Sequence, residues 1–510
     1  MFQKFILIVA CSFIFILSKS QNIAYSEPDR NDVRNLEFEI VGKMNNHFII
    51  YKNNRNNPSL AVYDDDMKQL SNEKLSFLPD KLINTDILAY RNYFYLFYQY
   101  QRRNIVYCMA AKLDGDGKLI NDVQQLDTTL VNVFMNNKVY SLLYSEDKQK
   151  IAFVRINTKN QTFNQVTTLL FDSELSLQKR TVMNIEMPER NNFLTEFNLD
   201  NDGDLVFIRA AGTSQKENIS KITLVTKEAE NSEPQLFDLE SNHVYLDDIR
   251  IKIDNVNKNY LLASFYSKGR RGNVDGLYAS LWSKNADSII STTYTTFSDD
   301  LRNNAKSEGN SKYAFNDFFL QNIVMRKDGG YVVAAESVYS SSRGNQYNRW
   351  DYFNNYNSGL LSSPLYYSPF SSYGLYGYYP WYRSGFGYNN TRYFADNVAL
   401  LSFDSTAKLS WAKVINKSQY DDNTDDFIGY TTMNTGNEVH FLYNENERKN
   451  VLLSDQKLTA DGQVQRMPTL KNLDRGYEFM PRLGKQVAAK QMIIPCTYRN
   501  YICFAKIDFQ

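Results

Sequence analysis

The feature that most constrains this chain is a unit of four short strand-like segments, first met at residues 36–41, 47–52, 60–64 and 68–78. Each segment is rich in β-branched or aromatic residues and is ended by Asn, Asp, Gly, Pro or Lys. Short apolar runs bounded by turn residues are the pattern of antiparallel strands joined by hairpins. The unit recurs at a period of roughly 50 residues, which is the spacing of propeller blades.

Later units read as 83–90, 93–100, 105–112 and 118–126, then 139–145, 150–157, 164–172 and 177–187. The fourth is 193–199, 204–210, 222–227 and 235–239, and the fifth 245–253, 259–267, 276–282 and 288–297. The sixth starts at 317–326 and 331–338 and resumes only at 397–403 and 409–415. A seventh covers 427–434, 438–443, 450–458 and 464–470, and the eighth is one strand short, with 478–484, 491–496 and 501–509. A three-stranded terminal blade would leave an open edge, so residues 22–26 are expected to supply its fourth strand. The expectation is an all-β propeller of eight four-stranded blades, with seven as the second count. Helical periodicity is weak throughout, with residues 299–306 the one candidate helix.

Three parts are expected: a signal peptide at 1–20, one propeller domain at 21–510, and an insertion at 340–395 within the sixth blade. Lys4, the apolar run 5–17 and Ser18-Lys19-Ser20 before Gln21 make a cleaved secretory signal. Cys11 follows Ile8-Val9-Ala10 as a lipidated cysteine would, but half of the apolar run comes after it, which favours cleavage over a lipid anchor. No later segment is long and apolar enough for a membrane helix. The mature chain is therefore expected in the periplasm, at the outer membrane or outside the cell. Cys496 and Cys503 flank a hairpin with its turn at Arg499-Asn500, and in that register they lie opposite each other. They are either a disulfide or two small buried apolar side chains.

Charge excludes one class of partner. The 57 basic residues equal the 57 acidic ones, so the basic surplus of a nucleic-acid-binding protein is missing. Three histidines, His47, His243 and His440, are too few and too scattered for a metal site or a catalytic triad. Asp200, Asp202 and Asp204 alternate as in a calcium loop, with Asp114 and Asp116 as an echo, but the downstream glutamate is missing. Asp-Gly turns between strands explain the same residues. Acid pairs such as Asp299-Asp300 and Asp421-Asp422 read as solvated charge. No nucleophile elbow, sialidase-type Asp box, WD40 or kelch signature occurs. No cofactor is expected, and the chain reads as a non-enzyme.

Between residues 338 and 397 the composition turns to Tyr, Ser, Gly, Asn and Pro. Tyrosine offers rigid contact area at low entropic cost, and Ser, Gly and Asn adapt their hydrogen bonds, the mixture found in antibody paratopes. Tyr366, Tyr367, Phe370, Tyr378, Tyr379, Trp381, Tyr382 and Arg383 are the candidate binding residues, with Arg343, Arg349 and Arg392 as further cationic partners. A loop without a dedicated ligand, or one packed on its own propeller, would have the same composition.

The mature start at Gln21, Phe171-Asp172-Ser173-Glu174-Leu175, Lys327-Asp328-Gly329-Gly330-Tyr331-Val332-Val333 and Leu409-Ser410-Trp411-Ala412-Lys413-Val414-Ile415 carry a resemblance. Together they resemble uncharacterised exported β-propeller-like proteins of Bacteroidota. The resemblance implies fold and compartment and transfers no site residue. The functional expectation is a non-catalytic binding or scaffold propeller of the cell envelope, with an envelope protein or glycan as partner. The alternatives are a glycan-active propeller enzyme with carboxylates in its channel, and an outer-membrane β-barrel.

Overall fold

In the computed structural model the described residues are 22–29, 36–131, 138–158, 162–189, 191–212, 218–306, 309–342, 345–346, 391–422, 424–447, 450–468, 470 and 476–509. Their strands form antiparallel sheets of four main strands each, arranged as eight blades of a propeller. One nine-stranded sheet is two blades, the fourth and fifth, joined through the two-residue strand Tyr245–Leu246. Separate sheets of this kind rule out the single closed sheet of the barrel alternative.

The innermost strands, in blade order, are Leu36–Met44, Asn84–Ala89, Ser141–Tyr144, Asn192–Leu199, Arg250–Asp254, Phe318–Met325, Tyr430–Asn434 and Lys485–Ala488. Moving outward, strands alternate in direction. Hairpins joining first to second strands, and third to fourth, therefore share one end of the propeller, while second-to-third hairpins share the other.

Packing explains why the middle strands are apolar on both faces. In His47–Asn54, Phe48 and Ile50 pack toward blade 8 and Ile49 and Tyr51 toward blade 2. A propeller blade is covered on both faces by its neighbours, so alternation gives way to continuous apolar runs. Each of the eight blade–blade seams holds its own cluster of buried side chains. Outermost strands keep a solvated face, as in Leu177–Glu186, where exposed and buried residues alternate.

The ring closes as the sequence implies. Strand Asn22–Tyr25 runs antiparallel to Tyr501–Asp508, from Asn22↔Asp508 to Tyr25↔Ala505. The pairing continues with Ser26 N–H to Phe504 O at 2.9 Å and Asp29 N–H to Ile502 O at 2.7 Å. Tyr25 stacks on Tyr477 of the same blade, ring centres 4.3 Å apart.

Blades 2, 5 and 8 differ from expectation; in blade 5 the expected strand 245–253 is split into Tyr245–Leu246 and the innermost strand Arg250–Asp254. In blade 8 the innermost strand is Lys485–Ala488, not residues 478–484. Tyr477–Phe479 pairs separately with Cys496–Tyr498, and Pro481–Leu483 forms a 3-10 turn between them, since Pro481 has no N–H to give a ladder. In blade 2 the outermost strand is Gln124–Leu130 rather than 118–126. An outer strand with one solvated face has too little apolar signal to mark its start. The helix Asp299–Ala305 forms where periodicity placed it, capped by the Ser298 hydroxyl accepting from Leu301 N–H.

The two cysteines are directly paired across the hairpin, Cys496↔Cys503, with free Sγ atoms 2.9 Å apart and both side chains fully buried. The turn is at Arg499-Asn500, with φ of 49° and 66°.

Closure makes a test. Ser26 N–H points inward, so by alternation Ala24 N–H also points at the Tyr501–Asp508 strand. Ala24→Pro is expected to lower unfolding stability by about 3 kcal/mol, read as a shift of the urea midpoint. An unchanged midpoint would mean that the ring does not depend on this strand.

Candidate functional site

Each innermost strand pairs on one side, and its other edge faces the central channel with unpaired N–H and C=O groups. Side chains from neighbouring blades cap these edges. Lys485 Nζ of blade 8 donates to Ile40 O (2.8 Å) and Val41 O (3.4 Å) of blade 1. Lys148 Nζ of blade 3 donates to Ala89 O of blade 2 at 2.7 Å. Gln486 of blade 8 clasps both backbone atoms of Asn434 in blade 7.

The reverse polarity occurs between blades 4 and 5. Glu196 sits at a bulge in Asn192–Leu199 with φ of 56°, an unusual conformation for a residue with a side chain. Its buried carboxylate accepts from Ile251 N–H (3.0 Å) and from Arg250 Nη1 (3.2 Å). Arg250 also meets Asp248 at 2.6 Å.

Toward the middle of the channel, blades 1, 2 and 3 contribute Glu39, Asp86 and Tyr144. Burial pushes the Tyr144 hydroxyl up to about 12, with the charges of Glu39 and then Asp86 adding to it. Asp86 is held by Lys138 at 2.6 Å and Asn84 Nδ2 at 2.8 Å. Three lysines share this region. Burial pushes Lys148 below the usual lysine range, and the charge of Lys485 pushes it further. Lys485 is lowered by burial against the pull of Glu39. Lys252, on the innermost strand of blade 5, is lowered by burial against the pull of Glu146. The arrangement can bind anions and hydroxyl groups, and it offers a tyrosine flanked by carboxylates for proton transfer.

These residues were not among the sequence candidates. The signal was nonetheless present: charged residues alternate with apolar ones in first strands, as in Leu36-Glu37-Phe38-Glu39-Ile40 and Arg250-Ile251-Lys252-Ile253-Asp254. What a linear pattern lacks is the cyclic order that brings blades 8 and 1 together.

The sequence candidates Tyr366, Tyr367, Phe370, Tyr378, Tyr379, Trp381, Tyr382 and Arg383 lie outside the described residues, as do Arg343, Arg349, Cys11 and the segment 1–21. Around the insertion, Tyr331–Ser342 and Thr391–Phe403 remain paired as far as Ser342↔Thr391, beyond the 338 and 397 read from sequence. Arg392 forms a two-point ion pair with Asp422 (2.7 and 3.1 Å) and lies 4.5 Å from the Tyr420 ring centre.

The acidic turns are structural hairpins. At Asp64, Asp114, Asp172, Asp200 and Asp404 one carboxylate oxygen accepts from the backbone N–H two and four residues on. Where calcium would sit among Asp200, Asp202 and Asp204, the ammonium of Lys284 lies 2.6–2.7 Å from all three. That cation joins blade 4 to blade 5. The histidines are far apart in the blade order; His440 is buried against Asp455 with Nδ1 3.0 Å from its carboxylate.

The pair Asp421-Asp422 departs from the solvated reading. Asp422 pairs with Arg392, but Asp421 is half-buried and its Oδ2 has no hydrogen-bond partner among the described residues. Burial pushes its carboxyl up to about 7, with the charges of Asp426, Glu478 and Asp422 adding.

No protein-family model matches the chain, and no curated protein does. Among solved structures it is similar to a prolyl oligopeptidase from Galerina marginata, at 8% identity and TM-score 0.40, over 92% of this chain and 56% of that one. The chain thus spans about half of that enzyme's length. It is also similar to an ulvan lyase, a polysaccharide lyase (9% identity, TM-score 0.36, 82% and 90% covered). A protein of unknown function from Bacteroides caccae is another (11%, TM-score 0.27, 75% and 94% covered). At these scores the likeness adds nothing to the propeller architecture already seen. It does correct the expectation of a non-enzyme, because propellers of similar shape include enzymes. No helix among the described residues is long and apolar enough to cross a membrane.

Asp421 supplies a pH test. Its raised value means the folded chain holds the proton more tightly than the unfolded one, so stability is lost as pH rises from about 4 to 7. Asp421→Asn is expected to leave stability at pH 4 unchanged and to raise it at pH 8 by on the order of 2 kcal/mol, allowing for partial exposure. Equal effects at the two pH values in chemical unfolding would remove the assignment.

Proposed function

We propose that this chain is an exported β-propeller of the cell envelope that binds a polar ligand in its central channel. The observation that carries the reading is the convergence of Glu39, Asp86, Tyr144, Lys148, Lys252 and Lys485 from five blades on one channel. Buried ionisable groups are costly to hold, and clusters of them with displaced proton affinities mark binding and catalytic sites. The secretory pattern of residues 1–20 suits an exported chain. The tyrosine-rich stretch 340–395 is a second contact surface, for an envelope protein or glycan, and its composition is the support for it.

A second reading is a glycan-active enzyme. It is favoured by Tyr144, whose hydroxyl feels inner-strand carboxylates from two neighbouring blades, Glu39 and Asp86. Such a set can pass a proton to or from a sugar.

The test is thermal unfolding of the full chain against a panel of oligosaccharides and small organic acids. Tyr144→Phe and a version with 343–390 replaced by Asn-Gly are run beside it. A channel ligand at a hundredfold excess over Kd adds about 2.7 kcal/mol, a rise of a few degrees, in the parent and the shortened chain but not in Tyr144→Phe. A rise lost in the shortened chain and kept in Tyr144→Phe would move the surface to the tyrosine-rich stretch. Product release from the bound sugar would select the enzyme reading.

A further inference from the structure

We propose that the channel ligand is a carboxylated sugar, its carboxylate held by the ammonium groups of Lys148 and Lys485 with Lys252 contributing from blade 5. The inference rests on the reading of the channel as a ligand site.

The geometry begins with two carbonyl perches on adjacent strands. Lys148 is anchored on Ala89 O, the last residue of the blade 2 inner strand. Lys485 is anchored on Ile40 O and Val41 O, at a bulge in the blade 1 inner strand. The two strands touch at this level: a Cβ on Gly42 would lie 3.9 Å from the Ala89 Cβ. Gly42 has φ of 149°, a conformation that side chains rarely adopt, so the bulge that turns these carbonyls toward the lysines depends on glycine. Two cations are thus brought to neighbouring carbonyls by separate blades.

A direct ion pair is what these two lysines lack among the described residues. Several other cations of the ring meet carboxylates directly: Lys284 meets three aspartates, Lys417 meets Glu336 at 2.8 Å and Arg250 meets Glu196. Among the described residues, Lys148, Lys252 and Lys485 have no carboxylate within 4 Å. The charges of Lys148 and Lys485 oppose each other, adding to the lowering of Lys148 by burial. Like charges drawn together away from bulk water favour an anion between them. Lys252 lies on the strand that leads into the blade 5 hairpin, where Asn255 Nδ2 donates to Glu146 of the blade 3 hairpin at 2.8 Å, two residues before Lys148.

The rest of the site chooses the kind of anion. Tyr144 can donate a hydrogen bond, and the Glu39 and Asp86 carboxylates can accept from hydroxyls. An anion surrounded by acceptors must carry several hydroxyl groups close to its charge. A uronic acid does so: its carboxylate suits the lysines and its hydroxyls can donate to Glu39 and Asp86, contacts that a halide or sulfate has no hydroxyls to make.

Titration calorimetry of the full chain with trigalacturonate and with neutral galactotriose tests this. Lys252→Met is the principal variant, because among the described residues its ammonium makes no hydrogen bond and its backbone pairing with Leu261 survives the change; Lys148→Met is the second. Trigalacturonate is expected to bind about tenfold more tightly than the neutral trisaccharide. That preference should shrink about threefold in Lys252→Met, further in Lys148→Met, and weaken as salt rises from 50 to 200 mM. Equal binding of the two sugars, or an acidic preference untouched by both variants, would overturn the anion assignment while leaving a channel ligand in place. A neutral sugar whose binding is lost in Tyr144→Phe would do the same. If nothing in the wider panel raises the unfolding temperature, the channel reading fails and this inference with it.

Discussion

The structure depends on one pairing, that of Asn22–Tyr25 with Tyr501–Asp508. Every seam between blades is apolar, but seven of the eight could form in an open arc. The eighth, between blades 8 and 1, buries Phe38, Ile50, Ile493 and Phe504 in one cluster. It is held in register by a strand from one end of the chain lying on a strand from the other. The last blade thereby gains its fourth strand, and the edge of Tyr501–Asp508 is covered. It also brings Lys485 to Ile40 and Lys506 to Asp65, residues separated by nearly the whole chain.

Closing a ring creates a second demand. Eight inner edges face the channel, and their carbonyl and N–H groups need partners. The molecule meets it with long polar side chains that cross from blade to blade, lysine and glutamine where carbonyls are free and glutamate where an N–H is free. Buried amides do related work at the blade joints. Gln99 holds Tyr140 at both its N–H and its carbonyl, and Asn444 donates to Phe427 O and Phe479 O. Stability and a polar channel therefore arise from one requirement. The binding proposal starts where capping falls short of neutralising charge.

The charge system between blades 4 and 5, set beside the channel lysines, shows how placement decides meaning. Asp200, Asp202 and Asp204 have the spacing of metal ligands, yet Lys284 from the neighbouring blade lies among them. Its affinity for the proton is raised by the three carboxylates, opposite in direction to the channel lysines. A lysine among acids is a strut; lysines beside one another are an unmet charge. No spacing along the chain separates these cases.

The sequence by itself determined the architecture. Alternating and continuous apolar runs, turn residues at short intervals and a missing strand in the last unit lead to eight blades and N-terminal closure, because these are local properties of backbone and side chain. It also determined the cysteine register, since a two-residue turn dictates which residues face each other. Tertiary structure alone decided the inner strand of blade 8, where Pro481 breaks a run that looked continuous, and the outer strand of blade 2, where solvent erases the pattern. It alone turned Asp421 inward and Asp422 outward from one acidic pair. And it alone brought Lys148 to Ala89 and Lys485 to Ile40, on adjacent inner strands, because blades 8 and 1 meet only when the ring closes. Local chemistry is written in order along the chain; a site built across blades exists only once the ends have met.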